Sequence, residues 1–334
     1  MIQRNLAKPT ICVAGAGAVG IALAARLMLG GYDVGLIARG DAVQFARNYG
    51  VCLVDKQGTH HLFPEVGQAA DFLQADILFL CSKSHDLPGL ALAVQHLIAA
   101  RTIVVPILNG IPWWYFDGLD GNWAGRNVSA VDPTNMLKHL IPSRQIIGTT
   151  TIMTVEKTDR TTARTFNPLQ MTLGELDDQR TARLADVVSV LEQSGISTCV
   201  PNRLRDAIWT KVVRNLISNP LTAITGATLR ENFGNTHLAA VSRKMLDEVL
   251  PVVTAYGARL EVDPETILSA ARRMGSVKTS MLQDIERGNR LELASICDAV
   301  LELACARNIW MPVTQALSSI AHFKDPLNRA MSAA

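Results

Sequence analysis

The sequence predicts an α/β protein with an N-terminal Rossmann-type parallel-sheet domain, residues 1–201, and a C-terminal all-helical domain, residues 202–334. In the first half, short apolar runs alternate with segments of helical periodicity, as in a parallel sheet wound with helices. A Gly-x-Gly-x-x-Gly motif follows the first apolar run. Beyond Pro201-Asn202 almost every segment has helical periodicity, and glycines and prolines separate the segments.

The apolar runs of the first half are the predicted core strands, because a continuous apolar run indicates a strand buried on both faces of a parallel sheet. These strands are expected at residues 10–14, 33–38, 76–81 and 102–108, and the helices at 19–29, 41–49 and 87–99. Residues 146–157, 162–167 and 171–174 look like strands that extend the sheet in antiparallel fashion. A helix at 181–193 and a strand at 197–200 complete the domain.

The second domain is expected to consist of helices with a core of their own, since about 130 residues suffice for one. The predicted helices cover residues 203–218, 236–256, 264–274, 280–287, 291–307 and 313–323.

Composition restricts the class of function. Net charge is +2, from 32 basic and 30 acidic residues, which argues against a nucleic-acid partner. The six cysteines form no Cys-x-x-Cys pair and several lie in apolar stretches, which predicts reduced, buried thiols in a cytoplasmic protein. The seven histidines, including the pair His60-His61 beside an expected loop, show no zinc-ligand spacing, so no metal is expected. No segment is apolar for long enough to predict a membrane span.

The glycine motif is the strongest local indication of a ligand. It lies between a predicted strand and a predicted helix, where glycines allow a tight turn, a close approach of pyrophosphate and close packing of the helix on the strand. The predicted cofactor-binding residues of this turn are Gly15, Ala16, Gly17, Ala18, Val19 and Gly20.

Three further polar residues follow predicted strands, at the sheet edge where such folds bind ligands. Arg39 ends the second strand, where an enzyme that prefers NAD would carry an acid, and its guanidinium suits the 2′-phosphate of NADP. Asp41 lies close by and weakens that interpretation. Lys83 follows the third strand, and Asn109 follows the fourth in an Asn-Gly pair.

A second group of polar residues lies beyond the domain boundary. Lys211, Asn215 and Asn219 are spaced four residues apart, so a continuous helix would place them on one face, and the residues between them are mostly apolar. This stripe predicts a polar cleft rather than a solvated helix face.

Taken together, these segments resemble the ketopantoate reductases (2-dehydropantoate 2-reductases) over nearly the whole chain. The resemblance rests on the glycine turn, the Lys83 segment, Asn109-Gly110, the stretch from Lys211 through Asn219-Pro220-Leu221-Thr222-Ala223, and Ser280-Met281-Leu282-Gln283-Asp284-Ile285 with Glu292.

The resemblance implies NADPH-dependent reduction of the ketone of 2-dehydropantoate to pantoate, a step of pantothenate and coenzyme A biosynthesis. In this resemblance Lys211 matches the family's general acid. Arg39 and Lys83 match positions that contact the cofactor. The positions that line the substrate and nicotinamide are Asn109, Asn215, Asn219, Ser280 and Glu292. The expected small-molecule partner is then a 2-oxo acid substrate. A homodimer is a further expectation.

Several alternatives stay open at this stage. The family often continues past the glutamate that matches Glu292 with an Asp and later an Asn-Gly, whereas this chain has Ala294 and Asp298. The substrate could therefore be a 2-oxo acid other than 2-dehydropantoate. Glycerol-3-phosphate, opine and 3-hydroxyacid dehydrogenases also join a Rossmann domain to a helical one. A non-catalytic NADP-binding sensor would need the glycine turn and Arg39, but not the residues from Lys211 to Glu292. The aromatic tract from Trp113 to Phe116 could be a subunit contact, a lid or core.

Overall fold

The computed structural model describes residues 8–328 of the chain. By its internal contacts it divides into two compact units. The sheet unit comprises the chain up to Leu108, with Phe116–Arg126 and Asn135–Leu204. The helical unit comprises Asn109–Tyr115, Asn127–Thr134 and the chain from Arg205 onward. Two short segments that precede residue 201 therefore group with the helices.

The centre of the sheet unit is a five-stranded parallel sheet in the order β5-β2-β1-β6-β7. The strands of the unit are β1 Ile11–Ala14, β2 Val34–Ile37, β3 Val51–Asp55, β4 Gly58–Leu62, β5 Glu65–Gly67, β6 Ile77–Leu80, β7 Ile103–Pro106, β8 Gly148–Ile152, β9 Val155–Lys157, β10 Thr162–Thr165, β11 Gln170–Gly174 and β12 Ser197–Cys199. Its helices are α1 Ala18–Leu29, α2 Asp41–Tyr49, α3 Leu87–Val94, α4 Met136–Leu140 and α5 Ala182–Gln193. The prediction of a Rossmann-type sheet is confirmed. The strand order reverses beside β1, and open α/β sheets bind ligands at such a point.

The predicted antiparallel extension of this sheet is wrong. β8 follows an isolated bridge from Val104 to Ile146 and then joins β11 and β12 in a separate three-stranded sheet. β9 and β10 join the β3–β4 hairpin in a four-stranded sheet. That hairpin was not predicted because β4 is polar and mostly exposed, so it lacks an apolar run. His60 and His61 lie in β4, and the Nε2 atom of His60 is 3.3 Å from Oδ1 of Asp55.

Helix α1 explains why two sheets share one unit. It is apolar around most of its circumference, and residues 20–25 and Leu27 are buried. It contacts β1 and β2 of the parallel sheet and also β3, β9 and β10 of the four-stranded sheet. A helix that is hydrophobic on all sides needs this double cover. The β9–β10 hairpin is thereby held against α1.

The helical unit consists of α6 Leu204–Leu216, α7 Asn219–Thr225, α8 Leu229–Gly234, α9 Thr236–Ala255, α10 Pro264–Arg273, α11 Ser280–Glu286, α12 Ala299–Cys305 and α13 Pro312–Lys324, with a π-helical turn at Ala294–Asp298. α9 is central, since α8, α12 and α13 all contact it. Its Glu248 carboxylate accepts hydrogen bonds from the backbone N–H groups of Val313 and Thr314 at 2.8 and 2.9 Å. This carboxylate caps the start of α13.

Buried thiols were expected, and Cys12, Cys52, Cys81 and Cys297 are buried, but Cys199 and Cys305 are exposed. Cys199 lies at the end of β12, the edge strand of the three-stranded sheet, and Cys305 at the last residue of α12. Across residues 8–328, none of the helices is both long enough and apolar enough to cross a membrane.

Candidate active site

The glycine turn joins β1 to α1, and its conformation explains two of its three glycines. Gly15 has φ +113°, and a Cβ atom there would lie 2.3 Å from the carbonyl oxygen of Cys81, the residue that follows β6. A Cβ atom on Gly20 would lie 1.8 Å from the carbonyl oxygen of Gly15. Any larger residue at either position would force the turn or the helix to move.

Gly17 differs because nothing lies within 4 Å of its would-be Cβ atom. It is the N-cap of α1, where no side chain caps the helix and no acid lies in the first turn. The first N–H groups of a helix lack intrahelical partners and carry the positive end of its dipole. Open space over uncapped N–H groups fits an anionic pyrophosphate.

Arg39 follows β2 and is exposed, next to Gly40, the N-cap of α2. Asp41, which weakened the 2′-phosphate interpretation, is 4.0 Å from the Nη1 atom of Arg160. The Arg160 guanidinium lies 4.4 Å from the centroid of the Phe45 ring. A second guanidinium, that of Arg160, therefore lies beside the start of α2 and offsets the charge of Asp41. The sequence does not reveal it, because Arg160 lies in the distant β9–β10 turn.

Lys83 lies just beyond β6, the neighbour of β1 in the sheet, and is partly buried. Its carbonyl oxygen accepts a hydrogen bond from the backbone N–H of Asp86 at 3.0 Å, which closes the turn before α3. Lys157 of β9 was also missed. Its Nζ atom donates to the carbonyl oxygen of Ala16 at 2.9 Å, across 141 residues of sequence.

In the helical unit, Asn109 and Glu292 are brought together. The amide Nδ2 of Asn109 donates to Oε2 of Glu292 at 3.2 Å. Gly110 has φ +82°, and a Cβ atom there would lie 2.2 Å from the carbonyl oxygen of Ser295. The same carbonyl accepts from the backbone N–H of Ile111 at 2.8 Å. The Asn-Gly pair is thus fitted onto the π-helical turn that follows Glu292, and such turns are frequent at functional sites.

Lys211 is partly buried in α6, and Glu292 is buried. Burial lowers the pKa of Lys211 to about 8, because water no longer stabilises the ammonium, and the negative charge of Glu292 partly opposes this shift. At neutral pH the lysine is therefore still protonated, but it releases its proton more readily than an exposed lysine does. A poised pKa of this kind is a property of general acids.

The predicted stripe of Lys211, Asn215 and Asn219 on one helix is wrong in its last member. Lys211 and Asn215 lie one turn apart in α6, but α6 ends at Leu216 and Asn219 begins α7. Pro220 is the cause, since it has no N–H to donate to the carbonyl of Leu216 four residues earlier. The buried Ser218 hydroxyl donates to the carbonyl of Arg214 at 2.7 Å and lies 3.2 Å from Oδ1 of Asn219. Asn219 is buried at this break.

Ser280 is exposed at the first residue of α11. Its neighbour Thr279 is the N-cap, which accepts from the backbone N–H of Leu282 at 3.2 Å. The Thr279 hydroxyl also lies 2.7 Å from that of Thr222 in α7. This hydrogen bond ties the start of α11 to the helix that begins at Asn219.

Asp298, which departs from the pattern of the resembled family, has a structural role in this chain. Its carboxylate is 2.9 Å from Nε2 of His322 and 3.0 Å from the hydroxyl of Ser318, both on α13. The carboxylate raises the pKa of His322. Asp298 thus fastens the π-helical turn to α13, while Ala294 begins that turn.

The aromatic tract from Trp113 to Phe116 is buried, so of the three alternatives it is part of the core. In the helical unit the indole Nε1 of Trp209 in α6 donates to the Tyr115 hydroxyl at 2.7 Å. Nε of buried Arg205 donates to the carbonyl of Tyr115 at 3.0 Å. The segment from Asn109 to Tyr115 is therefore anchored at one end to the π-helical turn and at the other to α6.

Comparison with known proteins identifies the family of the chain. A family model described as ketopantoate reductase PanE/ApbA matches residues 11–114, and the model of the C-terminal part of the same family matches residues 203–325. The 2-dehydropantoate 2-reductase of Mesorhizobium japonicum is 31% identical over 88% of this chain and 90% of its own length.

Two solved structures extend the comparison to the fold. A ketopantoate-reductase-like protein from Ralstonia solanacearum MolK2 is 28% identical with a TM-score of 0.91, over 97% of this chain and 99% of its own. A D-mandelate dehydrogenase in complex with NADH and anilino(oxo)acetate has a TM-score of 0.83 at 20% identity, over 96% and 99% of the two chains, a likeness of fold alone. The chain therefore belongs to the ketopantoate reductase family PanE/ApbA and is an oxidoreductase.

Proposed function

We propose that this protein reduces the ketone of 2-dehydropantoate to the alcohol of pantoate with NADPH as the reductant. The observation that carries the proposal is the group of Asn109, Lys211 and Glu292, in which a partly buried lysine with a pKa of about 8 accompanies a hydrogen-bonded amide and carboxylate. A protein that only binds NADP has no use for such a group.

The sheet unit would hold the cofactor. The uncapped N-terminus of α1 and the open space at Gly17 fit its pyrophosphate. Arg39, with Arg160 offsetting Asp41, suits a 2′-phosphate and therefore NADP rather than NAD. Bound NADPH supplies the hydride that the ketone carbon receives.

The helical unit would supply the proton. As the ketone is reduced, negative charge develops on its oxygen, and Lys211 donates a proton to that oxygen from Nζ. The lysine is then reprotonated from solvent, so atoms and charge balance over the cycle. Glu292, held by Asn109, favours the protonated form of the lysine and would accept a hydrogen bond from a substrate hydroxyl. Asn215, Asn219 and Ser280 would complete the substrate contacts.

The test is steady-state oxidation of NADPH, and separately of NADH, with 2-dehydropantoate and with a panel of other 2-oxo acids. The proposal expects efficient turnover of 2-dehydropantoate with NADPH and much weaker turnover with NADH. Turnover of a different 2-oxo acid alone would replace the substrate and leave the proton donor in place. Binding of NADPH without turnover of any 2-oxo acid would favour a non-catalytic sensor.

A further inference from the structure

The β9–β10 hairpin contains a lysine whose position the reaction chemistry does not explain. The hairpin belongs to the four-stranded sheet, and both of its strands contact α1. Lys157 ends β9, and its Nζ atom donates to the carbonyl oxygen of Ala16, within the glycine turn, at 2.9 Å. An ammonium group from the middle of the chain is thereby fixed at the turn that begins α1.

Among the residues that the structure describes, no carboxylate lies close enough to this ammonium to form an ion pair, although Asp159 acts on it from further away. Within residues 8–328, the carbonyl of Ala16 is the only hydrogen-bond partner of the Lys157 ammonium, so two of its three N–H donors remain available. Burial lowers the pKa of Lys157, and Asp159, two residues further on, opposes this only in part. A cation that is partly withdrawn from water ordinarily has an anionic partner. The first turn of α1 offers no acid.

We infer that Lys157 is a cofactor-binding residue whose ammonium group contacts the pyrophosphate of the dinucleotide at the glycine turn. The inference rests on the proposed use of a nicotinamide dinucleotide. A lysine fixed beside uncapped helical N–H groups adds a full charge to their partial charges, and charge-assisted hydrogen bonds to phosphate are the stronger kind. The glycine turn and the β9–β10 hairpin then form one anion site from two distant parts of the sequence.

The competing explanation is that Lys157 only ties the hairpin to the turn. That role needs one N–H donor and no charge, which glutamine also provides. Lys157→Gln therefore keeps a donor for the Ala16 carbonyl and removes the cation, while Lys157→Met removes both. Arg164→Met is the matched control, because Arg164 is an exposed cation on β10 of the same hairpin.

The experiment measures dissociation constants of the full chain for NADPH, NADH and 2′-AMP by fluorescence titration or competition, together with the melting temperature. Both Lys157 variants are expected to bind NADPH and NADH about tenfold more weakly. The affinity for 2′-AMP, which has a 2′-phosphate but no pyrophosphate, should be unchanged, and Arg164→Met should resemble the wild type. The loss should also shrink as salt concentration rises.

Normal dinucleotide affinity in Lys157→Gln would overturn the inference in favour of the tether. An equal loss for all three ligands with a lowered melting temperature would do the same, since it would indicate a disturbed unit. Both outcomes leave the proposed function standing if the wild type binds NADPH. A wild type that binds neither dinucleotide would overturn the proposed function and this inference together.

Discussion

The two units build their candidate sites in different ways. In the sheet unit, the glycine turn is one continuous segment that we propose binds through backbone N–H groups, so its pattern is visible in six neighbouring letters of the sequence. In the helical unit, the proposed chemistry belongs to side chains, and Asn109 and Glu292 are separated by 183 positions. Backbone sites are marked by what glycine permits, whereas side-chain sites are marked by which residues the packing brings together.

Each unit nevertheless depends on a glycine at positive φ. Gly15 lies against the carbonyl of Cys81, and Gly110 lies against that of Ser295. Both glycines allow a loop to approach the backbone of a distant element. The comparison suggests experiments that damage one unit and leave the other intact.

The largest effect is expected from Lys211→Met, which removes the proposed proton donor. We expect kcat to fall by about 10²–10⁴-fold in steady-state assays, with the NADPH dissociation constant unchanged. Lys244→Met, an exposed lysine of α9, is the control. Undiminished turnover would remove Lys211 from the mechanism.

The two glycines give the sharpest contrast between the units. Gly110→Ala should displace Asn109 from Glu292 and reduce kcat by about 10²-fold, while NADPH still binds. Gly15→Ala should destabilise the protein by about 2 kcal/mol or more and abolish NADPH binding. Titration with NADPH and chemical denaturation would check both. Loss of NADPH binding in Gly110→Ala would show that the two sites are not separable.

The pH dependence of the reaction should report on the helical unit alone. An acid catalyst must be protonated, so kcat/KM should fall as the pH rises through the Lys211 pKa of about 8. Glu292 raises that pKa, and Glu292→Gln should therefore move this limb of the profile to lower pH. A profile measured from pH 6 to 10 in both proteins is the test. An unmoved limb would mean that another group controls it.

A smaller effect is expected at the break between α6 and α7. The buried Ser242 hydroxyl of α9 donates to the carbonyl of Ile217 at 2.8 Å and lies 3.0 Å from Nδ2 of Asn232. Ser242→Ala leaves a buried carbonyl and an amide short of a partner, which should cost about 1–3 kcal/mol of unfolding free energy. Denaturation measures this, and Ser319→Ala on the exposed side of α13 is the control. An unchanged unfolding free energy would contradict the assigned role of Ser242.

The smallest effect is expected from Arg160→Met in the sheet unit. Its ion pair with Asp41 is exposed and 4.0 Å long, and such pairs contribute about 0–1 kcal/mol. The dissociation constant for NADPH should rise by roughly twofold to fourfold and that for NADH should stay constant. Arg39→Met should show a larger change of the same kind. An equal change for both dinucleotides would argue against a 2′-phosphate subsite.

The sequence by itself determined the parallel sheet and most of the helices, because apolar periodicity and glycine chemistry are local properties. It also marked Lys211, Asn109 and Glu292 through their likeness to a family. It did not determine the β3–β4 hairpin, whose second strand is polar, or the end of α6, where Pro220 overrides an apparent four-residue spacing. Only the tertiary structure showed that Lys157 contacts the glycine turn and that Asp298 contacts His322 of α13. Contacts between segments that are distant in sequence leave no local pattern, since any side chain of suitable length and charge can make them once the fold brings the two segments together.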